Sequence, residues 1–231
     1  MEENINSEAN PAEEVSKTQP EKKPRFKTGC YLFFKRFFDI VSATLLLLVL
    51  SWFILICILV KWLEDFYNPV YLSTRVGKDG KTFKFIKIRT MCPHAEELKQ
   101  QLIDAGLNEA DPPVFKMEND PRITPVGKFF RRFSIDELLQ LLNIIAGQMS
   151  VIGPRPPLPE EVETYTEEQK KRLSVKGGLL CLWQIQKNRN KTTFDEWVKL
   201  DLEYIEKRSL WLDTKILFKG MYMVVFDHSG K

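Results

Sequence analysis

The sequence predicts a helix-rich α/β fold with a few short strands, anchored in a membrane by an N-terminal re-entrant helix and by interfacial amphipathic helices. Residues 40–60 carry no charged side chain, which is typical of a membrane-inserted helix. Two short strand-like segments surround Asp79-Gly80, and most of the remaining chain has helical periodicity. The length of 231 residues allows one domain plus appendages. We predict a polar tail, a membrane helix and a main domain at 1–28, 29–66 and 67–231.

Composition excludes several classes of protein. The net charge is +3, because 34 basic residues face 31 acidic ones, and no clustered basic face indicates nucleic-acid binding. The four cysteines are scattered without a CxxC pair, which argues against thiolate-metal sites and disulfides and favours a reducing compartment. With two histidines, a His-rich metal site or a Ser-His-Asp triad is also disfavoured. An enzyme with this sequence must therefore rely on carboxylates.

The first 66 residues predict a disordered tail followed by a membrane helix. The tail, 1–28, is polar and has almost no bulky apolar side chains with which to form a core. Ile40 to Val60 would form a helix of about 31 Å, which matches the hydrocarbon thickness of a bilayer. A soluble helix is rarely apolar on every face over this length, so we predict membrane insertion.

The orientation of this helix depends on the basic residues at its ends. Lys35 and Arg36 precede the apolar run and Lys61 follows it, so the positive-inside rule gives no direction for a simple span. A re-entrant helix would leave both basic ends in the cytoplasm. Ser51 can bend the helix by bonding to a carbonyl one turn earlier, which places the predicted break at Ser51 and Trp52. A tag at residue 2 found outside the cytoplasmic membrane would exclude this topology in favour of a span.

The segments after the membrane helix can be assigned in order. "GKDGKT" resembles the end of a P-loop, but Arg75 stands where that motif requires glycine, so the P-loop is excluded. A polar amphipathic helix should end at Gly106, and "VIGPRPPLP" should be extended. Residues 159–175 predict another helix. Residues 194–226 predict one or two helices, with aromatic and basic residues that suit either a membrane interface or a core.

The stretch "RRFSIDELLQLLNII", 131–145, has a purely structural interpretation. Ser134 is a good N-cap residue, and Glu137 three residues later completes a capping-box pattern. Apolar residues then follow at helical spacing, which predicts a helix that begins at Ser134. In this interpretation Asp136 and Glu137 are simply the acidic first turn.

A catalytic interpretation comes from the basic residues near turns. Each alone can be a solvated surface charge, but together they indicate an anion site: Lys87, Arg89, Arg122, Arg131, Arg132 and Arg155. On a helix, Asp136 and Glu137 diverge by about 100° and cannot flank one bond as glycosidase carboxylates do. One can attack phosphorus while the other holds a divalent cation such as Mg²⁺, which binds through few carboxylates plus substrate phosphates.

The order of these motifs resembles that of a known family. The matching stretches run from Lys35 to about Val225 and are "KRFFDI", "RVGKDGKTFKFIKIRTM", "NDPRITPVGKFFRRFSIDELLQLLNIIAGQMSVIGPRP" and "DLEYIEKRSLWLDTKILFKG". The chain resembles the bacterial sugar transferases, the small monotopic phosphoglycosyl transferases that act on polyprenol phosphate. The Asp-Glu pair followed by a short helix and Gly-Pro-Arg-Pro is the most specific part of this resemblance.

The resemblance implies a reaction and a set of site residues. A nucleotide-diphosphate sugar, usually a UDP-sugar, would be attacked by Asp136, UMP would leave, and polyprenol phosphate would take the phosphosugar to start a surface glycan such as an exopolysaccharide, capsule or lipopolysaccharide O-antigen. Glu137 would be the Mg²⁺ ligand. The substrate- and phosphate-binding residues would be Lys87, Arg89, Arg122, Arg131, Arg155 and Gln184.

The resemblance also implies a location, and the sequence departs from the family in places. The catalytic domain is expected on the cytoplasmic face of the bacterial inner membrane, with a second copy and downstream glycosyltransferases as candidate partners. Trp52 stands where the family commonly has proline, and Leu180 and Cys181 alter a loop that runs to Asn188. A catalytically impaired, membrane-anchored homologue that binds pathway partners is therefore the alternative function. A single-span protein with an unrelated soluble domain is a weaker one.

Overall fold

A computed structural model describes residues 29–109, 115, 117, 119–186 and 192–226, so the predicted tail and the end of the 180–188 loop lie outside the described residues. The helix-rich fold with a few short strands is confirmed. The elements are α1 Gly29–Asp65, β1 Val70–Val76, β2 Thr82–Ile88, α2 Ala95–Asp104, α3 Pro125–Arg132, α4 Gln140–Ile145, β3 Met149–Ile152, α5 Pro159–Glu163, α6 Glu167–Lys170, β4 Gly177–Leu180, α7 Phe194–Lys207 and α8 Leu210–Phe226.

Helix α1 is long, apolar and buried along one stripe only. In the described part of the chain it is the one helix long and apolar enough to cross a membrane. Its buried residues recur at helical spacing from Asp39 through Ala43 and Ile54 to Lys61, whereas the opposite face exposes large apolar side chains such as Leu48. This one-sided burial leaves a continuous, exposed apolar face on α1.

The predicted membrane break at Ser51 and Trp52 stays a prediction as a bend of the helix, and the helical backbone is not interrupted there. The structure continues α1 through both residues without interruption. The Ser51 hydroxyl does donate to the carbonyl of Leu48, at 2.9 Å, as the sequence predicted. Trp52 keeps the backbone N–H that a proline would remove, so the helical hydrogen bonding can continue past this point.

The N-terminal half of α1 is fixed to the main domain by polar contacts. The Arg36 guanidinium donates to the carbonyls of Ile144 at 2.6 Å and Ile145 at 2.9 Å, which end α4. The buried Asp39 carboxylate accepts from the Ser150 hydroxyl at 3.1 Å and from the Val151 N–H at 2.9 Å. Arginine thereby satisfies helix-terminal carbonyls that would otherwise lack donors.

The C-terminal end of α1 docks on the same domain. The fully buried Lys61 ammonium contacts Glu64 at 2.5 Å, Asp65 at 3.1 Å and the Thr124 hydroxyl at 3.0 Å. Glu64 in turn accepts from the Val126 N–H at 2.9 Å, at the start of α3. Each buried charge is paired, which offsets the cost of its desolvation. The main domain is therefore attached to both ends of α1.

Two small strand pairs complete the fold. The predicted hairpin is confirmed, because β1 and β2 pair antiparallel around a turn at 77–81. The second pair, β3 with β4, is parallel and was not predicted. The backbone segments at Gly153 and Gly178 pack closely here, since a Cβ on Gly178 would lie 2.1 Å from the Gly153 nitrogen. The extended passage that follows β3 leads to α5, as predicted.

Two helix predictions need correction. Ser134 has φ +55° and no capping side-chain bond, so the predicted capping box is wrong. A 3₁₀ turn, Ile135–Glu137, precedes α4, and Ser134 takes the left-handed conformation that commonly follows a helix end because α3 finishes at Arg132. The predicted 159–175 helix is three short helical segments, because Thr166 is extended and caps α6. Residues 194–226 form two helices, within the predicted alternatives.

Candidate active site

Asp136 lies at the bottom of a cleft of about 2250 Å³. The 3₁₀ turn that contains it is anchored by Ile135, which packs in the same core cluster as Ile54 of α1 and Ile88 of β2. Asp136 is 7% exposed, and its Oδ1 atom has no hydrogen-bond partner among the described residues. An unpartnered carboxylate oxygen in a cleft is costly unless a ligand or the reaction uses it.

Glu137 and Arg155 meet on the same side of the cleft. The Glu137 Oε1 lies 3.7 Å from the Arg155 Nη1, and both side chains are partly exposed. Arg155 comes from the proline-flanked passage after β3, whose fixed backbone angles hold it extended. The structure therefore brings Arg155 beside Glu137, next in sequence to Asp136.

Lys87 and Arg131 supply positive charge close to Asp136. Burial lowers the pKa of Lys87 to about 8, opposed by the Asp136 charge and reinforced by repulsion from Arg131, Arg75 and Arg155. Burial likewise lowers the pKa of Arg131, again opposed by Asp136. Arg131 is held by a hydrogen bond of 2.9 Å from its Nε to the Thr90 hydroxyl. Crowded cations of this kind favour a bound anion.

Arg75 is a fourth cation, which the sequence analysis missed. Its Nη1 donates to the Pro156 carbonyl at 3.1 Å, its guanidinium lies 5.4 Å from the Phe85 ring centroid, and its Nε is buried without a partner among the described residues. Burial and the Arg155 charge lower its pKa to about 10. The pairing of the two hairpin strands indicates that Arg75 belongs to the site. Tyr71 lies opposite Lys87 in the hairpin. Because side chains alternate along a strand, Arg75 lies on the same face as Tyr71 and therefore as Lys87.

Two predicted phosphate ligands are held by ion pairs within the protein. Arg89 forms a bidentate ion pair with Asp65 at 2.6 and 2.7 Å and also donates to the Asn68 carbonyl. Arg122 is buried and pairs with Asp120, at 2.7 Å for the shortest contact. Both residues also line the cleft, so their assignment as phosphate ligands stays a prediction, and one that must compete with these short, buried ion pairs.

The altered loop forms another wall of the cleft. Gln184 lines it, with its Oε1 accepting from the Cys181 N–H at 3.0 Å. Trp183 stacks on Trp197 of α7, with centroids 4.6 Å apart, and both rings line the cleft. Cys181 is buried, and burial raises the pKa of its thiol well above the usual value, so it is not a thiolate nucleophile.

A magnesium ion fits the donor set only if the substrate supplies ligands. The described residues contain no group of three or more His, Cys, Asp or Glu side chains that could hold a metal. Mg²⁺ commonly binds through one or two carboxylates together with substrate phosphates and water. The partly exposed Glu137 provides one such carboxylate at the edge of the cationic cleft.

Comparison with known proteins agrees with this geometry. A family model described as bacterial sugar transferase matches residues 30–227. The chain is 41% identical over 207 residues to the galactosyl transferase CpsE of Streptococcus agalactiae, covering 90% of this chain and 45% of that protein. It is 40% identical over 199 residues to the exopolysaccharide production protein ExoY of Rhizobium meliloti, covering 85% and 87%.

A third relative carries a more specific name. The chain is 39% identical over 195 residues to the undecaprenyl-phosphate galactose phosphotransferase of Salmonella typhimurium, covering 84% of this chain and 40% of that protein. The chain thus spans less than half the length of this relative and of the streptococcal one. The family match covers the long apolar helix α1, the cationic cleft and the Asp136-Glu137 pair together, and the chain belongs to the bacterial sugar transferase family.

Proposed function

We propose that the chain transfers a sugar 1-phosphate from a UDP-sugar to polyprenol phosphate, and so starts a surface glycan. The observation that carries this proposal is the buried Asp136, with an unpartnered oxygen, in a cleft whose lining includes four cations that we assign to the phosphate site. Those cations are Arg75, Lys87, Arg131 and Arg155. The names of the relatives, a lipid-carrier phosphotransferase and an exopolysaccharide production protein, support the same reaction class.

In the first step, Asp136 attacks the phosphorus that bears the sugar. A bond forms between its carboxylate oxygen and phosphorus, the bond to the UMP oxygen breaks, and UMP leaves with that electron pair. A carboxylate and a diphosphate repel each other, so the surrounding cations lower the barrier by offsetting negative charge on both. A phosphosugar on Asp136 is then the covalent intermediate.

In the second step, a phosphate oxygen of polyprenol phosphate attacks the same phosphorus. The bond to Asp136 breaks, the carboxylate is restored, and a polyprenyl-diphosphate sugar forms. Glu137 would hold Mg²⁺, which when bound neutralises charge on the phosphate oxygens. Arg155, paired with Glu137 at 3.7 Å, can exchange this partner for a phosphate oxygen when the donor enters.

The way α1 is docked supports the proposed location. Its buried stripe from Asp39 to Lys61 is about 33 Å long, comparable to the hydrocarbon core, and a charged domain is attached along it. A perpendicular span would place that domain inside the hydrocarbon, at a large cost for its charged residues. We therefore place both ends of α1 on the cytoplasmic face of the inner membrane, with the exposed Leu48 face in lipid.

The experiment that tests this function measures UMP release. The purified chain in lipid nanodiscs is supplied with Mg²⁺, polyprenol phosphate and a panel of UDP-sugars. We expect UMP release that depends on the donor and on the lipid, together with a polyprenyl-diphosphate sugar in the lipid extract. No release with any donor, from folded and membrane-inserted protein, would instead support the alternative of a catalytically impaired binding homologue.

Glu137→Gln tests the metal assignment. We expect the rate of UMP release to fall about 10- to 100-fold and the half-saturating Mg²⁺ concentration to rise, because the neutral amide is a poorer ligand for a hard cation. The measurement is a Mg²⁺ titration of the initial rate. Glu160→Gln removes the same charge from an exposed residue that lines the cleft, and should leave the titration unchanged. An unaltered metal response in Glu137→Gln would remove Glu137 from the metal site.

A further inference from the structure

The cleft has an apolar arm in addition to its cationic part. Residues of α1 and α8 line the same cavity as Asp136 and the four cations. Leu138 and Leu141, one and four residues after Glu137, line the same cavity, and Leu141 packs in one core cluster with Ala43 of α1. A continuous path therefore leads from the reacting carboxylate to an apolar groove between two helices.

The α1 wall of this groove is a single stripe of the helix. Ala43, Leu46 and Leu50 line the cavity at steps of three and four residues, which places them on one face. Ala43 is buried against the core cluster that contains Leu141. Leu48 belongs to a different face and is 67% exposed. The groove-facing and lipid-facing sides of α1 can therefore be told apart residue by residue.

The α8 wall is built in the same way. Leu217, Gly220 and Met221 line the cavity within about one turn. Gly220 is buried, and a Cβ on it would lie 2.9 Å from a methyl carbon of Leu180, so the helix backbone itself closes this side of the groove. Phe218 is 62% exposed and stands outside it. Helix α8 thus has a groove side and a second, exposed apolar side.

The occupant must combine an anion with a hydrocarbon. The cationic part of the cleft complements a phosphate, and the arm complements an apolar chain attached to it. A nucleotide sugar is polar throughout and has nothing to place between Leu46 and Met221. Because both helices also expose large apolar side chains beside the groove, such as Leu48 and Phe218, we infer that the mouth of the groove opens towards lipid. An amphiphile can therefore slide in from the bilayer without crossing water.

We propose that the groove between Ala43–Leu50 of α1 and Leu217–Met221 of α8 holds the first isoprene units of the polyprenol phosphate acceptor, with its phosphate directed towards Asp136. This inference rests on the proposed function and adds the chain segment that selects the acceptor. The groove fixes the lipid on the side of Asp136 that Leu138 and Leu141 border. The nucleotide sugar would then bind on the polar side of the cleft, next to Arg75 and Arg155.

Bulky substitutions in the groove test the proposal, with matched substitutions on the lipid faces as controls. Leu46→Trp and Met221→Trp are compared with Leu48→Trp and Phe218→Trp. We expect the groove variants to raise the KM for a long polyprenyl phosphate roughly tenfold, equivalent to about 1.4 kcal/mol, while the control variants stay within about twofold. The KM for a short-chain acceptor and the UMP released with donor alone should stay near the wild-type values, because neither uses the arm.

Equal KM changes in groove and control variants would overturn the proposal, as would equal changes for short and long acceptors. A second measurement does not depend on catalysis. Wild-type protein in phosphatidylethanolamine–phosphatidylglycerol vesicles is photolabelled with a diazirine-bearing polyprenyl phosphate, using the same chain without phosphate as the control lipid. We expect the phosphate form alone to label the peptides with Leu46 and Met221, in competition with unlabelled polyprenyl phosphate.

Labelling by both lipids alike, or confined to the faces of Leu48 and Phe218, would contradict the groove. The outcomes also separate this inference from the function it rests on. If wild-type protein released no UMP but was still labelled in the groove, the reaction would be rejected and the lipid site retained. If UMP was released but labelling stayed on the outer faces, the reaction would stand without this site.

Discussion

Asp136→Ala is expected to abolish turnover, with UMP release falling by about 10⁴-fold or more, because it removes the proposed nucleophile. Asp136→Asn should be equally inactive, since the amide keeps the size of the side chain but not its nucleophilic oxygen. The measurement is UMP release, together with intact-protein mass after incubation with donor alone. Wild type should gain the mass of a phosphosugar and both variants should not.

The stability of the same variants should show that the loss is chemical. The Asp136 Oδ1 has no hydrogen-bond partner among the described residues, so truncation removes no hydrogen bond to that atom, and the buried carboxylate no longer has to be desolvated. The truncation also removes the negative charge that faces Lys87 and Arg131, so the two effects oppose each other and the melting temperature of Asp136→Ala should stay close to that of wild type. Asp79→Asn, on the exposed hairpin turn, is the control and should be fully active. Unimpaired turnover in Asp136→Ala would refute the nucleophile assignment.

The elements that could be predicted are those whose structure is determined by residues close together in the sequence. The long apolar helix α1 follows from an uninterrupted apolar run, and the hairpin follows from Asp79-Gly80, so both signals are local in the sequence. The parallel pair of β3 and β4 has no such signal. Each strand has four residues, and Gly177 and Gly178 have low strand propensity, so close backbone packing on Gly153 determines the pairing.

The Ser134 prediction failed for a related reason. The capping-box pattern was present, but the conformation of Ser134 is set by the end of α3, which the local pattern does not contain. The positions of Asp136 and Glu137 survive this error, because the 3₁₀ turn replaces the first turn of the predicted helix. The sequence pattern thus located the acidic pair while assigning the wrong backbone to it.

The basic residues show where sequence reasoning reaches its limit. Arg89 and Arg131 both lie near turns, yet Asp65 pairs with Arg89 only because α1 docks beside β2. That ion pair joins residues that are 24 positions apart in the chain, and no local sequence pattern around Arg89 predicts it. Arg75 was overlooked although strand alternation places it on the face of Lys87. A test of charge at the site should therefore use a residue that the structure itself puts beside Asp136.

Lys87 is that residue, and Lys87→Met should lower kcat/KM for the donor roughly 100-fold at neutral pH by removing a charged phosphate partner. Wild type should also lose kcat/KM as pH rises above about 8, the pKa that burial and the neighbouring cations give Lys87. Because kcat/KM reports ionisations of the free enzyme, its decrease above pH 8 reports the ionisation of Lys87 in the cleft without substrate. Lys87→Met should show no decrease of kcat/KM near pH 8. Lys87→Arg should restore a positive charge, and its kcat/KM should not decrease near pH 8 because arginine does not titrate in this range.

Stability should change in the opposite direction to activity. The pKa of Lys87 is lower in the folded chain than in the unfolded one, so protonation favours unfolding. This cost to folding stability is fully present below about pH 8 and disappears as the pH rises to the pKa that Lys87 has in the unfolded chain. Lys87→Met should therefore be more stable than wild type at pH 7. Lys84→Met, on the opposite face of β2, should change neither property. A Lys87→Met profile that still bends near pH 8 would show that another group carries the ionisation.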